Sequence, residues 1–179
     1  MEFYRLLCID PGTKVTGIAL FEVWTDTKEG IYVHSEALKA EASDNWFDRL
    51  DKMLTKVVDE ALYPYLPDIV LIEQPRHFFG TSKGQGAMNS GAIEKVAALV
   101  FAIWGAVHII AGDEKEVECV LVPVNKWKGN VPKEVTQKRI LTHWGIHFTG
   151  WTTDDEADAI GIGDWYIRKQ LGFTPKKTT

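Results

Sequence analysis

Four carboxylates stand where apolar elements end. Asp10 closes the run Leu6–Ile9, and Glu73 closes the run Ile69–Ile72. Asp155 and Asp158 open the last helical segment at i,i+3 spacing, which places them on one helix face. Taken singly, an acid at a strand end is usually a solvated turn residue, and an acid at a helix start is usually a cap. The joint pattern of two strand ends and one helix start is far more specific. Hard divalent cations such as Mg²⁺ or Mn²⁺ take carboxylate oxygens that converge from separate elements and leave positions for water and substrate. Two such ions about 4 Å apart suit in-line displacement at a phosphodiester. Asp154 competes with Asp155 for the register; Asp155 is preferred because it gives the i,i+3 pair directly before Ala159.

The elements that must position these acids follow from the apolar rhythm. Leu6–Ile9, Ile18–Val23 and Ile31–Ala37 read as three antiparallel strands, with turns at Asp10-Pro11-Gly12 and Thr25–Gly30. Trp46–Leu62 has helical spacing and is stopped by Pro64 and Pro67. Ile69–Ile72 and Glu118–Val122 read as buried parallel strands. Ala92–Ile109, Lys133–Trp144 and Asp155–Leu171 read as helices. Thr153 and Glu156 fit a capping box at the start of the last one. Gly161 and Gly163 give that helix a flat face for close approach to the sheet beside Asp10. The expectation is an α/β fold: a mixed five-stranded sheet, three strands antiparallel and two parallel, flanked by helices. Residues 1–173 form one domain and 174–179 a flexible tail.

Composition narrows the class. The chain has 179 residues, 45% hydrophobic and 25% charged, with a net charge of −5. That excludes disordered, collagen-like and coiled-coil chains. Cys8 and Cys119 lie in apolar β-like runs and read as core thiols of a reducing compartment. Met1–Asp10 carries charges and lacks the apolar core of a signal peptide. Val96–Gly112 falls short of the roughly 20 apolar residues that span a bilayer. A cytoplasmic protein with no membrane partner is expected.

The motifs resemble a known family. Leu7-Cys8-Ile9-Asp10-Pro11-Gly12-Thr13, followed by Gly17-Ile18-Ala19, resembles the opening of RuvC-type Holliday junction resolvases, within the RNase H-like superfamily. Val70-Leu71-Ile72-Glu73-Gln74-Pro75 resembles their second motif, and Asp155-Glu156-Ala157-Asp158-Ala159-Ile160 their closing one. The resemblance implies an RNase H-like fold. It implies a crossover junction endodeoxyribonuclease whose metal-binding and catalytic carboxylates are Asp10, Glu73, Asp155 and Asp158. Two Mg²⁺ or Mn²⁺ ions per site would serve hydrolysis that leaves 5′-phosphate ends.

In a chain this acidic, DNA must be held by a local basic surface. Between Pro123 and Gly150 five basic residues, Lys126, Lys128, Lys133, Lys138 and Arg139, stand against one acid, Glu134. Residues 22–60 carry ten acids and five bases. In the family, one lysine near a glycine turn and another opening the next helix contact the DNA backbone. Here Lys126 or Lys128 precedes Gly129, and Lys133 opens a helix. The glycine-rich loop after Glu73 carries Arg76, Phe78, Phe79 and Lys83. Either phenylalanine could stack on or wedge between unpaired bases. Trp127 could stack on a nucleotide or anchor its own turn.

The segment Asp10-Pro11-Gly12-Thr13 through Gly17 also fits the phosphate turn of actin-like kinases, but those need a second such domain, and this chain holds one unit. RNA nucleases of the same superfamily share the first motif and differ in the closing one. A four-way junction has two-fold symmetry and needs two paired cuts, so a homodimer is expected. Ala92–Ile109, apolar on more than one face, is the expected contact.

Overall fold

The computed structural model describes residues 2–75, 91–112, 116–129, 131–145 and 154–176, without the side chains of Lys133 and Leu141. Three long strands form an antiparallel meander: β1 (Phe3–Asp10), β2 (Val15–Trp24) and β3 (Glu29–Lys39). β4 (Ile69–Gln74) adds parallel to β1, and β5 (Glu118–Pro123) parallel to β4. The sheet order is β5-β4-β1-β2-β3-β6. The sixth strand, β6 (Thr174–Lys176), corrects two expectations. The sheet is six-stranded, and the tail expected from residue 174 begins as an edge strand parallel to β3. Its three residues are too short and too polar to show a strand pattern; the pairing comes from tertiary placement.

Strand alternation sorts the core onto two faces. Leu7, Ile9, Ile18, Leu38, Val70 and Ile72 point to one side. There they meet α1 (Trp46–Val57), through Met53 and Val57, and α3 (Ala92–Ala111), through Leu99, Val100, Ile103 and Val107. Leu6, Cys8, Ala19, Phe21 and Leu71 point to the other. That side is covered by α5 (Lys133–Trp144) and α6 (Asp154–Trp165), through Ile140, Trp144, Ala159, Ile160 and Ile162. With both faces covered, β2 is buried without a break from Thr16 to Phe21.

Several boundaries move. α1 runs on through a π-helical turn, Val58–Leu62, and a last turn, α2 (Tyr63–Tyr65). Pro64 therefore does not stop it; the chain stays helical through Tyr65. Leu66 ends it in the left-handed region, at φ 43°. A short α4 (Val124–Trp127) precedes Gly129. α6 starts one residue earlier than expected, does not end at its glycines, and continues as a π-helical turn, Tyr166–Gln170. α3 has 20 residues and is, by length and composition, long and apolar enough to cross a membrane, unlike the shorter stretch expected. In the fold it packs against β4 and α1. Cys8 and Cys119 are free thiols.

Candidate active site

The site begins with a tight turn. After Asp10, the Gly12 N–H donates to Thr16 Oγ1 at 3.2 Å, and that hydroxyl donates back to the Gly12 carbonyl at 2.8 Å. A Cβ on Gly12 would lie 2.1 Å from the Val15 carbonyl oxygen, so only glycine fits. The turn sets the register that places Asp10 opposite Gly17. Because β1 and β4 are parallel and pair up to Ile9 and Ile72, the next residues, Asp10 and Glu73, emerge side by side at the carboxyl ends of adjacent strands. In open α/β sheets ligands bind at such carboxyl ends.

α6 supplies the other two acids by unusually close approach. A Cβ on Gly17 would sit 1.9 Å from the Asp155 carbonyl oxygen, and one on Gly163 would sit 2.1 Å from the Phe21 ring. Main chain thus touches main chain at the first turn of α6, next to Asp10. The expected flat face is correct for Gly163, whereas Gly161 turns away from the sheet and receives the Trp127 ring. Glu156, expected as the capping-box partner of Thr153, is buried, and its Oε1 accepts from Ser35 Oγ at 2.6 Å. Ser35 in turn shares a 2.7 Å hydrogen bond with the Tyr32 hydroxyl. This tie fixes the first turn of α6 to β3. Thr153 lies outside the described residues.

The four expected carboxylates act on one another. Burial pushes the Asp10 carboxyl well above the usual carboxylate range, and the charges of Glu73, Asp158 and Asp155 push it further, against a pull from Lys128. Glu73 is raised to about 7, chiefly by burial, with Asp158 and Asp155 adding and the Trp127 hydrogen bond and Lys128 opposing. Asp155 is half-buried and acts on both, whereas Asp154 is exposed. Among the described residues no three His, Cys, Asp or Glu side chains already surround one metal-sized point. Instead, Lys128 Nζ lies 2.7 Å from Asp158 Oδ2, and Trp127 Nε1 donates to Glu73 Oε2 at 2.9 Å.

These last two contacts place two more of the residues singled out in the sequence. Lys128, expected on the DNA backbone, sits on the carboxylates and 5.1 Å from the Trp127 ring centroid. Trp127 anchors its turn and orients Glu73, a role that its sequence left as one of two alternatives. The available signal was Gly161, whose missing side chain makes room for the indole. Lys126 and Lys138 are exposed on α4 and α5. Arg76, Phe78, Phe79, Lys83 and the Lys133 side chain lie outside the described residues.

No family model matches the sequence, and no curated protein matches it. Solved structures do match the fold. RuvC of T. thermophilus, in complex with Holliday junction substrate, superposes at TM-score 0.64 with 19% identity, over 95% of this chain and 98% of that one. The yeast mitochondrial Holliday junction resolvase Ydc2 gives TM-score 0.65 at 13% identity, over 94% and 82%. The fowlpox virus resolvase, bound to Holliday junction DNA, gives 0.60 at 15%, over 93% and 99%. At these identities the likeness establishes the α/β fold, a mixed sheet flanked by helices, that these resolvases share.

Proposed function

We propose that this chain, which has the fold of RuvC-type Holliday junction resolvases, is a divalent-metal-dependent endonuclease that cuts branched DNA, four-way junctions above all. The observation that carries the reading is the meeting of Asp10, Glu73, Asp155 and Asp158 from two strand ends and one helix start. The donor set fits a divalent cation. It is made of carboxylate oxygens, and burial, with a smaller push from their mutual repulsion, already drives two of the carboxyls toward protonation, with Lys128 as the cation among them. Asp10, Glu73, Asp155 and Asp158 would hold one or two Mg²⁺ or Mn²⁺ ions. Bound there, such ions would supply a water of lowered pKa and neutralise the charge that develops on the phosphodiester as it is hydrolysed to 5′-phosphate and 3′-hydroxyl ends.

The chain's own residues do the rest. Trp127 fixes the orientation of Glu73 through its indole N–H. Lys128 partly neutralises Asp158 and, with Lys126, is a proposed phosphate contact. The tie from Glu156 to Ser35 keeps Asp155 and Asp158 in place as charge builds. Lys126, Lys133 and Lys138, with Arg76, Phe78, Phe79 and Lys83 from the loop after Glu73, are the proposed DNA contacts.

Two symmetric cuts call for two centres, and α3 offers the contact for a homodimer. Its outer stripe runs Ala97, Phe101, Trp104 and His108, with Phe101 67% and Trp104 44% exposed. A cytoplasmic setting suits the two free thiols. Burial holds Cys8 far above the usual thiol range and Cys119 up to about 11, so neither is reactive near neutrality.

The deciding experiment compares cleavage of a synthetic immobile four-way junction with cleavage of linear duplex and single strand, in Mg²⁺ or Mn²⁺. Paired, metal-dependent cuts restricted to the junction are expected. Equal cutting of linear duplex, or none of any substrate, would reject the reading.

A further inference from the structure

A second feature opens beside the carboxylates. Between α4, α5 and the π-helical end of α6 lies a cleft of about 380 Å³. Lys126, Lys128, Arg139, Arg168 and Lys169 line it, with Trp165 contributing an aromatic side chain. The acid in its lining, Asp164, is already engaged from within the fold. It accepts from Trp144 Nε1 at 3.0 Å, lies 3.0 Å from His143 Nδ1, and pairs with Arg168 at 3.4 Å. Lys126, Arg139 and Lys169 are exposed and pair with no acid among the described residues. In a chain of net charge −5, this is a concentrated positive lining in which three of the five cations have no acid partner among the described residues.

Shape selects the class of ligand. A cleft of this volume is at the lower end of the roughly 300–1,000 Å³ that small ligands occupy, room for about one nucleotide and far too little for a duplex. An indole beside several cations is the combination that holds unpaired nucleic acid: the base stacks, and the phosphates are neutralised. The π-helical turn Tyr166–Gln170 changes the helical phase directly after Trp165, and Arg168 and Lys169 reach the cleft from it. Such turns recur at functional sites. Lys128 lines the cleft and also pairs with Asp158, so one residue links the cleft to the carboxylates.

We infer that this cleft receives one unpaired nucleotide of a DNA strand, its base against Trp165 and its flanking phosphates on Lys126, Arg139 and Lys169. The inference rests on the nuclease reading for its purpose: it would hold a strand that leaves its helix next to the cutting site. It would thereby favour branches that expose a single-stranded segment.

Binding of fluorescein-labelled dT15 to the full chain in EDTA tests it, read by anisotropy across a salt series. The double variant Arg139→Ala/Lys169→Ala, both positions being exposed, should bind about tenfold more weakly. Its log–log salt slope should be shallower by about 1.4, the value for two single-strand phosphate contacts. Trp165→Ala should cost about tenfold, and Trp165→Phe should restore most of it. A duplex hairpin of equal length should lose less than threefold in the same variants. Unchanged dT15 binding by folded variants would overturn the inference. So would equal losses for dT15 and hairpin, which would make the surface a general phosphate patch. Because the assay needs no cleavage, a wild-type protein that fails to cut junctions would remove the nuclease reading, while the dT15 result would still decide the cleft.

Discussion

α3 and α6 are both apolar helices laid on the same sheet, and they use apolarity in opposite ways. α3 packs with large side chains, Leu99, Val100, Ile103 and Val107. Its far side leaves Phe101 and Ile109 exposed, at 67% and 81%. α6 intersperses its isoleucines, Ile160 and Ile162, with small residues, Ala157, Ala159, Gly161 and Gly163, and is buried almost throughout from Glu156 to Gly163. Its first turn touches the main chain of Gly17. Hydrophobic content decides whether a helix docks, but residue size decides how near. Nearness is what delivers Asp155 and Asp158 to Asp10. α3 is the helix that can answer to another molecule; α6 is the helix that cannot move without dispersing the site.

The largest expected contrast is chemical. Asp10→Asn should remove cleavage by more than the roughly 100-fold that loss of an outer-sphere partner costs, while leaving junction binding in gel-shift assays. Asp155→Asn should follow it and Asp154→Asn should not; the reverse order would show that the neighbouring carboxylate is the one that matters. Next is Gly17→Ala. Its Cβ would collide with the Asp155 carbonyl, so denaturant titration should show a loss of about 1–3 kcal/mol, and the thermal shift on adding Mg²⁺ should shrink. A Gly17→Ala protein as stable and as metal-responsive as wild type would erase the contrast between the helices.

A pH series sharpens the same point. Glu73 has an ordinary value of 4.5 and is raised to about 7 in the fold. Between those values the folded chain binds more protons than the unfolded one. The contribution of Glu73 to the stability of the metal-free protein is therefore fully present below about 4.5 and is lost as pH rises through about 7. The thermal shift on adding Mg²⁺ should grow over the same window, and a pH-independent shift would argue that no raised carboxyl is involved. The smallest effect on stability belongs to α3. Phe101→Glu should change unfolding free energy by no more than about 0.5 kcal/mol, yet sedimentation should show monomers that nick a junction once rather than twice. A monomeric wild-type protein, free and on a junction, would instead assign the exposed stripe to another partner.

The acids were legible because Asp10 and Glu73 end apolar runs and Asp155 and Asp158 open a helix, and such edges are what a sequence displays. The meander, the parallel pair and the long helices were legible for the same reason. Gly163 announced the close approach of α6. Trp127 was only half legible: an indole beside Lys128 and Gly129 fits a turn anchor or a base platform, and the choice depends on Glu73 and Gly161, distant in sequence. β6 was hidden because pairing with β3, not its own residues, makes it a strand. The Trp165–Arg168–Lys169 grouping was hidden because helical periodicity assumes an unbroken α-helix, and the π turn breaks the count at that point.

The tie between Ser35 and Glu156 joins residues 121 apart in the chain. Asp10 is likewise made early and Asp155 late, and the contact between Gly17 and Asp155 bridges a still longer interval. During synthesis the meander can form on its own, but the acidic cluster has no existence until α6 has left the ribosome and closed over β2. At ordinary elongation rates of about 5–20 residues per second, that is a delay of several seconds. A nascent or truncated chain would carry half of the cluster and none of its reactivity. On the nuclease reading proposed above, the topology itself withholds the carboxylate cluster until folding is nearly finished.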